Sequence, residues 1–413
     1  MKTALIIALA LLGCRSEIPC PTDIVSDNTS KTKDYWQQFE TKWKHPLLPN
    51  EFCRTSFTHQ GLACFVLGNL TDATTDRILV LNTSSGIESW QLHLTGASSF
   101  QISKHALWYI HNDKVCSRDL QTGQVLLQLP IPPTDSRPVL HPSTECFILL
   151  LSTQFIHQNP DSNQGRIYRI QTNELNLIAS ISAHQIGSFT PDFHTIDAYV
   201  KNSDTLLLIT SRSWNWGASN QGRGHVFIFN LQKGQITHDF TNRLDYDDVG
   251  KGALSKNQWY VTNGWDQFAS VNLESMNIDI ESKTLPNQSS AFYHPLKQVG
   301  NKIFIHSGNL GILRILDAKT GSMLKVVNDL GSDWFSAPFV HHEGRVFSST
   351  GSHLISIDTS DLTVELLRES KAINSFSGSF SGGLLSAPED STLIVTRGNY
   401  IVGYTRTQKK GPS

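Results

Sequence analysis

The chain is poor in the features that mark several large protein classes. Charged residues make up only 17% of it, and 34 basic residues against 36 acidic ones leave a net charge of -2, which does not suit a general nucleic-acid binder. No apolar run approaches the ~20 residues needed to cross a bilayer; the longest outside the N-terminus is the short "CFILLLS" around Phe147. Low-complexity tracts are absent, so most of the chain is expected to fold. No CxxC pair occurs among the six cysteines, which argues against a zinc ribbon or a thioredoxin-like site. HExxH, a Walker loop, an EF-hand loop and G-x-S-x-G are also missing. "SGSFSGG" near Ser379 does not match the nucleophile elbow, and the adjacent His341 and His342 fall at a strand end, where neighbours face opposite ways. No catalytic residue, metal site or cofactor is expected.

The N-terminus reads "MKTALIIALALLGCRSE". One Lys, a short apolar run from Ala4 to Leu12, and Gly13-Cys14 fit a secretory signal over residues 1–13. The ending "LLGC" resembles a bacterial lipobox, which makes Cys14 the expected lipidation site. Arg15 in place of Asp favours the outer membrane over retention at the inner one. A soluble exported form is the alternative. Residues 14–33 are polar and rich in Pro, Ser and Thr, the composition of a tether. An exported compartment permits disulfides, and Cys53 and Cys64 are either a pair or two small buried residues.

What the chain does have is a repeat. The pentapeptide SNQGR occurs at Ser162–Arg166 and at Ser219–Arg223, each time just ahead of a strand-like run. The repeated unit is an apolar strand, a turn Asp/Asn-x-x-Thr/Ser-Gly, and a further strand. Clear copies are "ILVLNTSSGIESW", "VCSRDLQTGQVLL", "VFIFNLQKGQITH" and "ILRILDAKTGSMLK"; worn ones are "IYRIQTNELNLI", "FASVNLESMNIDI" and "LISIDTSDLTVEL". The anchor positions are Asn82, Asp119, Gln171, Asn230, Asn272, Asp317 and Asp358, with an eighth strand, "NYIVGYTR", around Tyr404. Their mean spacing is about 46 residues, the size of a four-stranded propeller blade. In each turn the Asp or Asn bonds the backbone two residues on, and Gly supplies the positive φ.

The eighth unit stops after its third strand. The stretch "DYWQQFETKWKHPLL", from Asp34, can supply the missing outer strand and remove the open edge. The expected fold is therefore all-β: an eight-bladed β-propeller of four-stranded antiparallel blades over residues 34–406, closed by N- and C-terminal strands in one blade, with a tail at 407–413. Seven blades is the alternative, because units three to five are irregular.

The units "SAPFVHHEGRVFSSTGSHLISID" and "ILRILDAKTGSMLK", with the Gly-to-Trp ending at Trp90 in "LNTSSGIESW", resemble PQQ-like repeats. With a lipobox and a short tether, the whole resembles the BamB-type lipoproteins of the outer-membrane β-barrel assembly machinery. That resemblance implies a non-enzymatic, monomeric protein-interaction scaffold facing the periplasm. It places the partner contact on Arg243, Leu244, Asp245, Asp247 and Asp248 of "NRLDYDDVGKG". Trp214 and Trp216 of "SRSWNWGASNQ", one unit earlier, are the expected aromatic part of the same surface. A ligand-binding or PQQ-dependent quinoprotein propeller is the alternative. The chain lacks the adjacent Cys pair that such enzymes share.

Overall fold

A computed structural model describes residue 36 and, between 38 and 407, all residues except 73, 104, 133–137, 143–146, 153–163, 172–173, 183–190, 214–222, 241–251, 263–266, 285–295, 308–311, 329, 331–334, 351–352 and 369–379. Among the described residues the strands form eight four-stranded antiparallel sheets. Seven are continuous in sequence: blade 1 from Glu51 to Thr95, blade 2 from Ser98 to Pro130, blade 3 from Val139 to Ser182, blade 4 from Pro191 to Asp239, blade 5 from Ala253 to Thr284, blade 6 from Lys297 to Val327 and blade 7 from Phe335 to Arg368. Blade 8 takes three strands from Phe380 to Arg406, and its fourth is the N-terminal strand Phe39–Pro46.

The closure has a defined register. Phe39 pairs with Arg406 and Pro46 with Tyr400, in antiparallel sense. Beyond it, Thr407 N–H donates to Gln38 O at 2.6 Å, and Arg406 Nη2 reaches Gln38 Oε1 at 2.9 Å. The first strand of each blade touches the first strand of the next, and the series returns from Phe380–Ala387 to Glu51–His59. A ring built this way leaves no blade with an unpacked face.

The ring explains the sequence pattern of the middle strands. Each blade is covered by a neighbour on both faces, so its second and third strands have no solvent side. Leu62–Asn69 and Thr75–Asn82 are buried at every position but their ends; the first reads as a continuous apolar run, and the second does so from Ile78 to Leu81, after the buried Asp76 and Arg77. Alternate residues serve opposite junctions: Ala63, Phe65 and Leu67 pack toward blade 8, whereas Cys64, Ile78 and Val80 pack toward blade 2. One apolar cluster fills each junction round the ring. A fully buried side chain such as Phe65 or Phe304 contributes roughly 1.5–3 kcal/mol to its junction. Outer strands alternate instead, as in Glu88–Thr95, because only one of their faces is covered well.

Cys53 and Cys64 are separate, buried thiols. Cys53 belongs to the blade 8/blade 1 cluster and Cys64 to the blade 1/blade 2 cluster, so they lie on opposite faces of one sheet. Burial pushes the Cys53 thiol up to about 12.

Candidate functional site

Strands within a blade alternate in direction, so their connections alternate between two faces of the ring. One face carries the turns between strands one and two and between strands three and four. The other carries the turns between strands two and three and the links between blades.

The first face is made of short, saturated turns. The anchor residues form the Asx turns expected of them. Asn82 Oδ1 accepts the Ser84 and Ser85 N–H groups at 3.0 and 3.1 Å, and Asp119 Oδ1 accepts those of Gln121 and Thr122 at 3.1 and 2.7 Å. Asp317 Oδ1 does the same with Lys319 and Thr320, and Asn272 Oδ1 with Glu274 and Ser275. The residue four beyond the anchor donates its N–H to the anchor carbonyl and takes positive φ: Gly86 (70°), Gly123 (72°), Gly234 (64°) and Gly321 (67°). In two of the three worn copies the same turn position is held without glycine, by Met276 (56°) and Leu362 (62°); the turn after Gln171 lies outside the described residues. The hydroxyl and backbone N–H of Thr122 hold the Asp119 carboxyl below its ordinary range.

Three of these turns are also sockets for the blade before them. Trp90, in the outer strand of blade 1, donates Nε1–H to Leu120 O at 2.7 Å, and its ring lies where a Cβ on Gly123 would stand, 2.9 Å from Cδ2. Trp43, in the closing strand, donates to Thr83 O at 2.9 Å and covers Gly86 in the same way, 2.5 Å from the Cβ position. Its other side lies on Gly403, directly paired with it in blade 8, where a Cβ would also meet the ring. In blade 6 the corresponding residue is Lys325, whose Nζ donates to Leu362 O at 2.7 Å. The Trp43 socket was legible in principle, since a Trp in the closing segment and a Gly inside "YIVGYTR" are both unusual in their places.

Between blades 1 and 2 this face holds a cleft of about 500 Å³. Its walls are the paired turns of the two blades, with His59, Gly61 and Asn82 on one side and His105, Asp119 and Gln121 on the other. The two imidazole rings stand edge to face, with centroids 5.5 Å apart. Burial and the neighbouring His105 lower the His59 pKa, and Glu389 opposes them. Glu389 reaches over from blade 8 to accept Gly61 N–H at 3.0 Å. Sequence reasoning passed over both histidines because the chain has 16 of them, scattered; the signal was that they occupy matching turns of successive blades.

The second face is built differently. On the first face many connections are pairs of residues: 60–61, 104–105, 202–203, 256–257, 300–301 and 343–344. On the second, the connections include 153–163, 183–190, 214–222, 240–252, 285–296 and 369–379. Trp214 and Trp216 fall in 214–222, between strands Asp204–Ser213 and Arg223–Asn230. Arg243, Leu244, Asp245, Asp247 and Asp248 fall in 240–252, between Gln235–Asp239 and Ala253–Ser255. These seven residues lie outside the described residues, as does Cys14. The strands that flank both segments end on the second face, in the neighbouring blades 4 and 5. Among the described residues no helix is long and apolar enough to cross a membrane.

No protein-family model and no curated protein matches the sequence. Solved structures do. Sqt1 of Saccharomyces cerevisiae is 11% identical over 90% of this chain and 100% of that one, with a TM-score of 0.61. A europium-containing methanol dehydrogenase is 9% identical over 90% of this chain and 86% of that one, with a TM-score of 0.60. BamB of Moraxella catarrhalis is 10% identical over 91% and 99%, with a TM-score of 0.55. Likeness at such identities is likeness of fold: the chain has the β-propeller fold of four-stranded antiparallel blades, and it resembles BamB and the methanol dehydrogenase in that architecture.

Proposed function

We propose that the chain is an exported, lipid-anchored, non-enzymatic scaffold that docks a protein partner of the cell envelope on its long-loop face. The observation that carries this reading is the asymmetry of the two faces. Short turns closed by their anchor hydrogen bonds suit a structural face, whereas long connections held on a rigid ring suit recognition. The two segments singled out in the sequence, with Trp214 and Trp216 in one and Asp245, Asp247 and Asp248 in the other, both belong to connections of that face. Aromatic side chains beside charges are the usual makings of a binding hot spot.

The anchor is consistent with this arrangement. The closing strand begins at Phe39, opposite Arg406, on the short-turn face. A tether running back to Cys14 therefore joins the body away from the long loops and leaves them open to a partner. The resemblance to BamB makes outer-membrane β-barrel assembly the first setting to test.

The test is recovery of partners from the native membrane by the full-length chain, beside the Asp247→Lys/Asp248→Lys variant and Cys14→Ser. Loss of barrel-assembly components with the double charge reversal, at unchanged thermal stability, supports the reading. Equal recovery with both proteins removes the acidic segment from the interface. Dye-linked dehydrogenase activity on addition of PQQ and Ca²⁺ overturns the scaffold reading in favour of an enzyme.

A further inference from the structure

We propose that His59 and His105 form a two-imidazole half-site for a divalent transition-metal ion, Zn²⁺ or Cu²⁺ in class, at the mouth of the cleft between blades 1 and 2. The reading does not depend on the partner face, which lies on the other side of the ring.

Topology brings the two histidines together. His59 ends the first strand of blade 1, and His105 sits in the equivalent turn of blade 2. Their ring centroids are 5.5 Å apart. With Zn–N bonds of about 2.0–2.1 Å, two imidazoles on one tetrahedral ion stand with their centres about 5–5.5 Å apart. The rings are inclined by 68°, edge toward face, so one must turn about its Cβ–Cγ bond to aim a nitrogen at the shared point. That torsion is broad and soft in histidine. His59 Nε2 is buried and makes no hydrogen bond among the described residues, so capturing an ion there breaks no existing bond.

The surroundings favour a cation. Among the described residues, those lining the cleft include Asp119 and no Lys or Arg. Glu389 is held at the rim by Gly61 N–H. Both turns are braced before any ion arrives: Gln60 and Gly61 have φ of 47° and 75°, with Gly61 fastened to blade 8, and His105 O accepts Leu120 N–H at 2.7 Å. Preformed supports of this kind fix where the ligands sit.

Among the described residues no group of three or more His, Cys, Asp or Glu side chains gathers to hold a metal. The site is therefore open by construction. Two positions come from this chain, and the cleft, at about 500 Å³, leaves room for waters or for a side chain of a docked molecule in the others. Imidazole suits Zn²⁺ and Cu²⁺ and is a poor ligand for Mg²⁺ or Ca²⁺, which want oxygen.

The experiment is titration of the full chain with Zn²⁺ by calorimetry and with Cu²⁺ by electron paramagnetic resonance. His59→Gln, His105→Gln and the exposed control His93→Gln are measured beside wild type. The expected result is a site with nitrogen couplings in the Cu²⁺ spectrum, weakened at least tenfold by either of the first two substitutions and unchanged by the third. Mg²⁺ should give no heat at that site. Each variant is checked for a wild-type urea midpoint, and His59→Asn and His105→Asn replace any that shifts. No binding to wild type overturns the proposal; so does binding that survives in the His59→Gln/His105→Gln double variant, or an equal loss with His93→Gln.

Discussion

Replacing Gly86 by Ala should cost far more than replacing Gly234 by Ala, although the two glycines occupy the same turn position with φ of 70° and 64°. Both substitutions force an L-residue into the left-handed region, at roughly 1–2 kcal/mol. At Gly234 little else happens, because the new Cβ would stand 3.4 Å from Ile178 O. At Gly86 it would stand 2.5 Å from Cδ2 and Cε3 of Trp43, about 1 Å inside normal carbon–carbon contact. The indole cannot retreat, since Gly403 lies under its other face. It must leave the socket and give up the 2.9 Å bond to Thr83 O, a further ~1 kcal/mol, together with part of its packing in the blade 8/blade 1 cluster. The expected totals are about 1–2 kcal/mol for Gly234→Ala and about 3–5 kcal/mol for Gly86→Ala, the latter in the range of a buried aromatic truncation. Urea unfolding followed by tryptophan fluorescence measures both. Limited proteolysis should show cleavage near residues 38–46 rising only in Gly86→Ala. A double-mutant cycle makes the test sharp: in a Trp43→Ala background, Gly86→Ala should cost no more than Gly234→Ala does in wild type. If Gly86→Ala costs the same with and without Trp43, the docked indole is not what the glycine is for.

Other outcomes follow from single residues. Asp197 is half-buried, its Oδ2 is shielded from solvent and makes no hydrogen bond among the described residues, and burial pushes its pKa up to about 6 from an ordinary carboxylate value. The folded state thus holds this proton over a pH range where the unfolded state has lost it, and stability falls as pH rises through that window. Asp197→Asn should therefore raise the unfolding free energy from urea titration at pH 7.5, by an amount on the order of 1–3 kcal/mol, and change little at pH 4; a destabilised variant at pH 7.5 would mean that the charge has a partner. At exposed Lys256, with φ of 51°, Gly should stabilise by a few tenths of a kcal/mol and Val should destabilise by more than ~1 kcal/mol, read from thermal midpoints. Two shifts of the same sign would show that the left-handed backbone there is not under strain. Asp119 is held below its ordinary pKa by Thr122, so the turn it anchors is secure above the carboxylate range and loses that support as pH falls through its folded pKa. Asp119→Asn should flatten this part of the acid unfolding profile.

The strand repeat was legible because its chemistry is local. The anchor positions Asn82, Asp119, Gln171, Asn230, Asn272, Asp317 and Asp358 each end the third strand of a blade, and the eighth, Tyr404, lies in the third strand of blade 8. Two copies that had lost glycine kept the turn, because Asn272 and Asp358 still supply the side-chain acceptor that closes it. Closure by the N-terminal segment was legible for a topological reason, a unit short of one strand and a strand-like stretch short of a partner. Blades 3 to 5 looked irregular largely because of long second-face connections, with the longer first two strands of blade 4 adding to the spacing of its anchor. The socket of Trp43 and the meeting of His59 with His105 left only faint marks, a Trp and a Gly in unusual places and two histidines in matching turns, and the contacts themselves could not be read from them. Both are contacts between blades, between residues 43 and 86 or 59 and 105, and one chain read alone gives no measure of which turn of one blade faces which of the next.

That division also bears on where function can change in such a molecule. Every junction needs its apolar cluster, and first-face turns such as that of Leu120 are tied both to their own blade and to a neighbour: Leu120 gives its N–H to His105 O and takes the indole N–H of Trp90 on its own carbonyl. A residue added to such a turn would break two bonds and displace a ring. A residue added to a second-face connection breaks neither, since the anchors, the sockets and the clusters all lie in the strands or on the other side. Long insertions in a surface loop cost only slowly growing closure entropy. The second face is thus the one on which this chain can carry sequence for recognition without loss of the ring. The cleft at His59 and His105 is the exception on the structural face. Its polar groups line an opening between two turns, where a side chain can differ without altering either fold.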